Sequence, residues 1–222
     1  MTVLLIIVTF AIFLTIDYVR QRKVVPQPAL SEREVVPAPR MQPIYVSGFE
    51  LPENFRYHPG HTWALEESPK LVRAGLDDFA ARLIGKMDSV ILPKRGQWVR
   101  QGQKFVTVLR DGKKTELVSP IEGEVAKVND AVANDPSLAC RDPYGNGWLV
   151  SVTAPDSATS FRNLLGGNLA KRWMTEAASQ LRAMMPMMAG AVAQDGGLAV
   201  HDLLAFLPGQ EWSEVTRQFF LT

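Results

Sequence analysis

Side chains able to do chemistry are few in this chain of 222 residues, which holds three histidines and one cysteine. His58 and His61 stand three apart and could in principle share a metal ion. Pro59-Gly60 breaks any helix that would aim them together, and no carboxylate or cysteine lies close by in sequence. No metal site is expected, and His61 reads as a surface or packing residue of the fold. Cys140 precedes Asp142-Pro143-Tyr144-Gly145 in what reads as a loop, with no charged base beyond Arg141 beside it, so a catalytic thiol is not expected. A single cysteine also cannot close an internal disulfide, so a reducing compartment fits. No Ser-His-Asp or paired-carboxylate constellation can be assembled from these residues. The expectation is a protein with no catalytic residues: not an enzyme.

Charge narrows the partners. Lysine and arginine number 24 against 23 aspartates and glutamates, a formal balance of +1, and no run of five like charges occurs. That is not the electrostatic footprint of a nucleic-acid binder. Lys70, Arg73, Arg82, Lys86, Lys94, Arg95, Arg100 and Lys104 are scattered among acids and read as a solvated face.

The elements that must position any site follow from the pattern of apolar residues and breakers. Short apolar runs at 71–75, 89–92, 104–110, 113–118, 124–128 and 148–152 predict strands. A helix interrupts them, with apolar residues at 76, 79, 80, 83 and 84 on one face. Asp111-Gly112 between two alternating runs predicts a two-residue hairpin, because a type I′ turn needs positive φ at both central residues. Gly96, Gly102, the run Pro120-Ile121-Glu122-Gly123 and the run Asp142-Pro143-Tyr144-Gly145 mark further turns. Strands this short and evenly spaced argue for a sandwich or flattened barrel.

The N-terminus is different in kind. No charge occurs from Met1 to Ile16, and the uncharged run would be about 24 Å long as a helix, about 28 Å if extended to Val19. That predicts a transmembrane anchor over residues 1–19. Arg20, Arg22 and Lys23 follow it, with nothing basic before it, so the expected location is the inner (cytoplasmic) membrane, single-pass, with the soluble domain on the cytoplasmic side. Pro26, Pro28, Pro37, Pro39, Pro43 and Pro52 make residues 20–54 a proline-rich linker.

Several motifs of the middle region carry a resemblance. They are Tyr57-His58-Pro59-Gly60-His61-Thr62-Trp63, Ala74-Gly75-Leu76-Asp77-Asp78-Phe79-Ala80, Ser119-Pro120-Ile121-Glu122-Gly123-Glu124-Val125, Asn129, Asp135-Pro136, and Asp142-Pro143-Tyr144-Gly145-Asn146-Gly147-Trp148-Leu149. In order and spacing this stretch resembles the H protein of the glycine cleavage system over residues 55–170. The resemblance implies a mainly β, lipoyl-type flattened β-barrel or sandwich with added helices, here preceded by one transmembrane helix and followed by a helical tail. It also implies a carrier, which bears a lipoyl group on one lysine and is not itself an enzyme.

The position that matters most departs from the family. The lipoyl lysine of that family stands seven residues before the Ser of the Ser-Pro pair, and counting back from Ser119 gives Gly112. Lys113 and Lys114 lie one and two residues further on. A shift of one along a strand turns a side chain to the opposite face, and Asp111-Gly112 takes the turn itself, leaving Lys113 beside Arg110. The expected protein therefore has no cofactor and acts as a docking or scaffold module. The alternative is a membrane-tethered carrier holding lipoate on Lys113.

Beyond the barrel, residues 171–222 read as a helical extension. A helix over 168–193 carries Leu169, Trp173, Ala177, Leu181, Met184, Met185, Met187 and Met188, interrupted at Pro186. Two more helices are expected at 198–207 and 212–221. From Asp195 onward one arginine faces four acids, and Trp212, Val215, Phe219 and Phe220 suit a protein groove. The partners expected are the membrane, through the single span, and a protein reached through the barrel and the C-terminal helices, with no nucleic acid.

Overall fold

The computed structural model describes residues 44–184, 199, 201–203 and 212–221, together with Thr15. The chain divides into two compact units, residues 1–42 and 43–222.

The second unit holds eleven described strands. β1 (Tyr45–Val46) and β2 (Phe49–Glu50) form a small hairpin. β3 (Arg56–His58), β4 (Thr62–Ser68), β5 (Leu71–Leu76), β7 (Trp98–Val99), β10 (Gly123–Val128) and β11 (Val150–Thr153) make a six-stranded antiparallel sheet in the order β3-β4-β5-β11-β10-β7. β6 (Ser89–Ile91), β8 (Lys104–Arg110) and β9 (Lys113–Val118) make a second sheet of three. β5, β6, β8, β9, β10 and β11 fall on the expected apolar runs, with β11 beginning two residues late, whereas β1, β2, β3, β4 and β7 lie outside them; the result is a mainly β half-barrel with helices added, as the lipoyl-type resemblance implies.

Helix α1 (Asp78–Ile84) is capped at both ends. The Asp77 carboxylate accepts a hydrogen bond from the Ala80 N–H, and Gly85 stops the helix at φ 64°, its N–H reaching the Ala81 carbonyl. The helix starts two residues later than the expected Leu76, because Leu76 ends β5 and is buried there. Arg82, read as part of a solvated face, is instead buried. It pairs with Asp78 at 2.8 Å, one helical turn away, and donates to the Ala199 carbonyl.

Short helices α2 (Asp130–Asn134), α3 (Ser137–Arg141) and α4 (Ser157–Arg162) follow. The long helix α5 (Gly167–Met184) buries Ala170, Met174, Ala177, Ala178 and Leu181. Leu169, expected on its apolar face, is exposed, and Met174 takes the inner position. Met185, Met187 and Met188 lie outside the described residues. Helix α6 (Trp212–Phe220) buries Trp212, Val215, Phe219 and Phe220 on one face, as its spacing predicts. Phe49 and Leu51, from the proline-rich stretch ahead of the barrel, are also in the core.

The membrane expectation is corrected by these helices. Among the described residues no helix is long and apolar enough to cross a membrane. The longest, α5, has 18 residues but includes Lys171, Arg172, Glu176 and Arg182, each costly in hydrocarbon. The described fold thus holds no spanning helix, and the single-pass inner-membrane placement is corrected with it. The apolar run read as an anchor at 1–19 and the linker up to residue 43 fall, Thr15 apart, outside the described residues.

Trp63 anchors the larger sheet. It is fully buried, and its indole N–H lies 2.8 Å from the Leu76 carbonyl and 3.1 Å from that of Pro143. Its ring lies against Gly75, directly opposite on β5, where a Cβ would stand 2.5 Å from the ring. The hydrogen bonds prevent the ring from withdrawing, so Gly75→Ala should destabilise the domain by about 2 kcal/mol, the scale of core overpacking. Urea denaturation reads this as a lower midpoint at unchanged slope; a midpoint equal to that of the parent would show that the ring can move.

Candidate functional site: the β8–β9 hairpin

The hairpin between β8 and β9 holds the position at which the resemblance expects a lipoyl lysine. Its strands pair in register from Lys104↔Val118 to Arg110↔Lys113, with one irregularity between Lys104 and Val106. Asp111 and Gly112 form the turn with φ of 49° and 72°, both positive as a type I′ turn requires. The turn is tethered at its first residue: the Asp111 N–H donates to the Asp88 carboxylate at 2.6 Å, and the Asp88 N–H donates to the Leu109 carbonyl at 2.9 Å. Gly112 itself is exposed, and a Cβ there would meet nothing within 4 Å.

Lys113, the candidate lipoyl residue, is exposed and pairs across the ladder with Arg110, one place beyond the turn. Among the described residues its side chain has no partner. Lys114 is also exposed, but its ammonium sits 2.9 Å from the Glu116 carboxylate, which a second ammonium, from Lys104, reaches at 2.8 Å. Hydrogen bonds from Lys104 and Lys114 hold the Glu116 carboxyl below its ordinary pKa.

Arg110, at the base of the turn, points inward. Its guanidinium makes a two-pronged pair with Asp202, donates to the Ile84 carbonyl at the end of α1, and lies 5.7 Å from the centre of the Trp212 ring. The Trp212 indole N–H donates to the Lys114 carbonyl at 3.3 Å. The segment around Asp202 and helix α6 therefore close over the flank of the hairpin. Nothing in the local pattern of β8 separates Arg110 from an exposed strand-end arginine. The only available signal is that an alternating strand puts residue 110 on the same side as Val106 and Val108.

The two histidines do different things. His61, at φ 59°, is buried, with its Nδ1 2.8 Å from the Asp77 carboxylate and its ring stacked on Phe79 at 4.1 Å and near Trp173 at 4.5 Å. It is a packing residue. His58 Nδ1 accepts the Gly60 N–H at 3.0 Å, and burial, with His61 nearby, pushes its pKa below the ordinary value. The structure does not bring them together on a common ligand, and among the described residues no group of three His, Cys, Asp or Glu side chains could hold a metal ion. The Cys140 thiol donates to the Gly85 carbonyl, and burial pushes its pKa up to about 12.

Comparison with known proteins identifies the family. A family model described as "Glycine cleavage H-protein" matches residues 55–177. A glycine cleavage system H protein of Anaeromyxobacter sp. strain K is 36% identical over 107 residues, 48% of this chain and 83% of that protein. A probable glycine cleavage system H protein 2 of Sulfurisphaera tokodaii is 36% identical over 135 residues, 59% of this chain and 90% of the relative. The crystal structure of a glycine cleavage system H protein from Mycobacterium marinum aligns with a TM-score of 0.49 at 27% identity, covering 57% of this chain and 98% of its own. With more than half its length matched by the family model, and with relatives matched over most of their own length, the chain belongs to the glycine cleavage H-protein family.

Proposed function

We propose that this H-protein-like domain carries no lipoyl arm and serves as a docking or scaffold subunit in a protein assembly. The observation that carries the reading is the Asp111-Gly112 turn: glycine stands at the position where the family's modified lysine is expected, at a φ that favours glycine. Lys113 is held one residue away in the ladder, paired with Arg110, where a ligase that reads a turn lysine does not find it in the turn. The second reading, a lipoylated carrier, is favoured by one fact, that Lys113 is exposed and has no side-chain partner among the described residues. A protein partner would be met by the barrel and the C-terminal helices, whose exposed apolar side chains include Ile91, Trp98 and Leu169.

Intact-mass spectrometry on chain co-expressed with a lipoyl ligase separates the two readings. The unmodified mass is expected for the natural sequence. Gly112→Lys is expected to gain a lipoyl group, because the space around the turn is open, at a folding cost of about 1 kcal/mol for the left-handed backbone. A lipoyl group on the natural chain, mapped by peptide sequencing to Lys113 or Lys114, would establish the carrier instead.

The same reading holds that the domain is not a catalyst, and Cys140 tests it. With its pKa pushed up to about 12 by burial, the thiol is almost wholly un-ionised at pH 8. Alkylation by iodoacetamide at pH 8 should run at least about 100-fold slower in the folded protein than in guanidinium. Equal rates in the two conditions would expose a reactive thiol.

A further inference from the structure

Trp98 stands on β7, the strand that ends the larger sheet, and is 49% exposed. Among the described residues its indole N–H has no hydrogen-bond partner and no arginine or lysine lies over its ring, whereas Arg73 lies over Trp148 and Arg110 over Trp212. A large aromatic left half in solvent is characteristic of a surface that another molecule covers. Beside the ring is a cavity of about 230 Å³, walled by Glu122 from the turn before β10 and by Pro155, Asp156, Thr159 and Ser160 around the start of α4.

The walls are tied together, and the acids on them are unpaired. The Gln101 side-chain amide donates to the Pro120 and Ser160 carbonyls, both at 2.9 Å, and the Ser160 hydroxyl accepts the Glu122 N–H at 3.4 Å, which laces the 120–122 turn to α4. Asp156 caps α4 by accepting the Thr159 N–H at 3.2 Å, and hydrogen bonds from Thr159 hold its carboxyl below the ordinary pKa. Neither Glu122 nor Asp156 forms an ion pair among the described residues. Arg100, two residues on from Trp98, pairs with neither of them, and Arg162 gives a guanidinium N–H to the Thr159 hydroxyl at 2.8 Å. Glu124, opposite Trp98 in the ladder and exposed, adds a third carboxylate on the ring's side of the sheet. An open indole face bordered by unpaired carboxylates is complementary to a cation flat enough to stack and with donors enough to bridge, which describes a guanidinium better than an ammonium. The cavity is below the roughly 300 Å³ at which pockets for drug-sized organic molecules begin, a size that suits one side chain.

We propose that this pocket takes the guanidinium of an arginine on a partner protein, laid on the Trp98 ring and bridged by the Glu122 and Asp156 carboxylates. The inference rests on the reading of the domain as a docking module and names the chemistry of one contact. The pocket shares no residue with the β8–β9 hairpin, so a lipoyl group on Lys113 would overturn that reading without altering the binding measured at Trp98.

The test is a titration of the full chain with N-acetylarginine amide, read by NMR at the tryptophan indole N–H signals, the Trp98 signal being the one that Trp98→Phe removes. The citrulline counterpart, alike in shape but uncharged, and the lysine counterpart are titrated in parallel at matched ionic strength. A saturable shift of the Trp98 signal is expected with arginine, with weaker binding of lysine and none of citrulline. Glu122→Gln and Asp156→Asn should each weaken binding about tenfold, since each removes a charge-assisted hydrogen bond. Asparagine keeps the α4 cap, which separates lost charge from lost fold. Trp98→Leu should weaken binding about threefold, read from amide shifts at 122 and 156. Glu66→Gln removes the same charge on β4, three strands from β10, and should leave binding unchanged. The absence of a saturable shift, equal binding of citrulline or lysine, or an equal loss in Glu122→Gln and Glu66→Gln would overturn the proposal.

Discussion

A buried guanidinium must find an anion, and Arg110 sits where that requirement organises the molecule. Taking an arginine out of water without a partner costs several kcal/mol. Arg110 is supplied with Asp202, 92 positions further along the chain, and with the carbonyl that ends α1. The pairing draws the C-terminal segment onto the flank of the hairpin, where Asp202 also packs against Gly85, so closely that a Cβ on that glycine would stand 2.6 Å from the Asp202 Cα. Gly85 is thus both the stop of a helix and the floor on which the returning chain lies. One ion pair ties together the hairpin, the end of α1 and the approach to α6.

A second polar centre, His61 with Asp77, works alongside it. Asp77 spends one carboxylate oxygen on the first turn of α1 and the other on His61. The imidazole ring, held in this way, is a flat surface on which Phe79 of α1 stacks, with Trp173 of α5 beside it and Phe219 of α6 6.1 Å away. Three helices from distant parts of the sequence therefore converge on one ring. The hydrogen bond sets the ring's orientation, and apolar burial supplies most of the stabilisation, in keeping with the modest net worth of a single hydrogen bond.

What could be read in the sequence was local. The Asp111-Gly112 turn and the alternation of β8 and β9 each depend on residues within a few positions of one another, and each is present in the structure. What could not be read was long-range. Arg82 in a run of scattered charges looks like any surface arginine until Asp78 and the Ala199 carbonyl enclose it. Phe49 sits among prolines and glycine, a composition that signals spacer, yet it packs on Phe79 at 4.9 Å because β1 and β2 fold back onto α1. Of the hairpin site, the turn and the displaced lysines were legible. The closure of their flank by Asp202 and α6 was not, because those residues lie about a hundred positions away.

The glycine at the turn has a consequence for the whole hairpin. A lysine in a two-residue turn of this type would have to adopt positive φ, a conformation that disfavours side chains with a Cβ by roughly 1–2 kcal/mol. Gly112 removes that penalty at the second turn position, and the hydrogen bond from the Asp111 N–H to Asp88 holds the first. The turn is thereby fixed at both of its central residues. Rigidity there also fixes the register in which Arg110 points inward and Lys114 presents its carbonyl to Trp212. A slip of one residue would turn Arg110 outward and abandon Asp202. Glycine at position 112 thus favours a turn whose register the C-terminal segment depends on to dock.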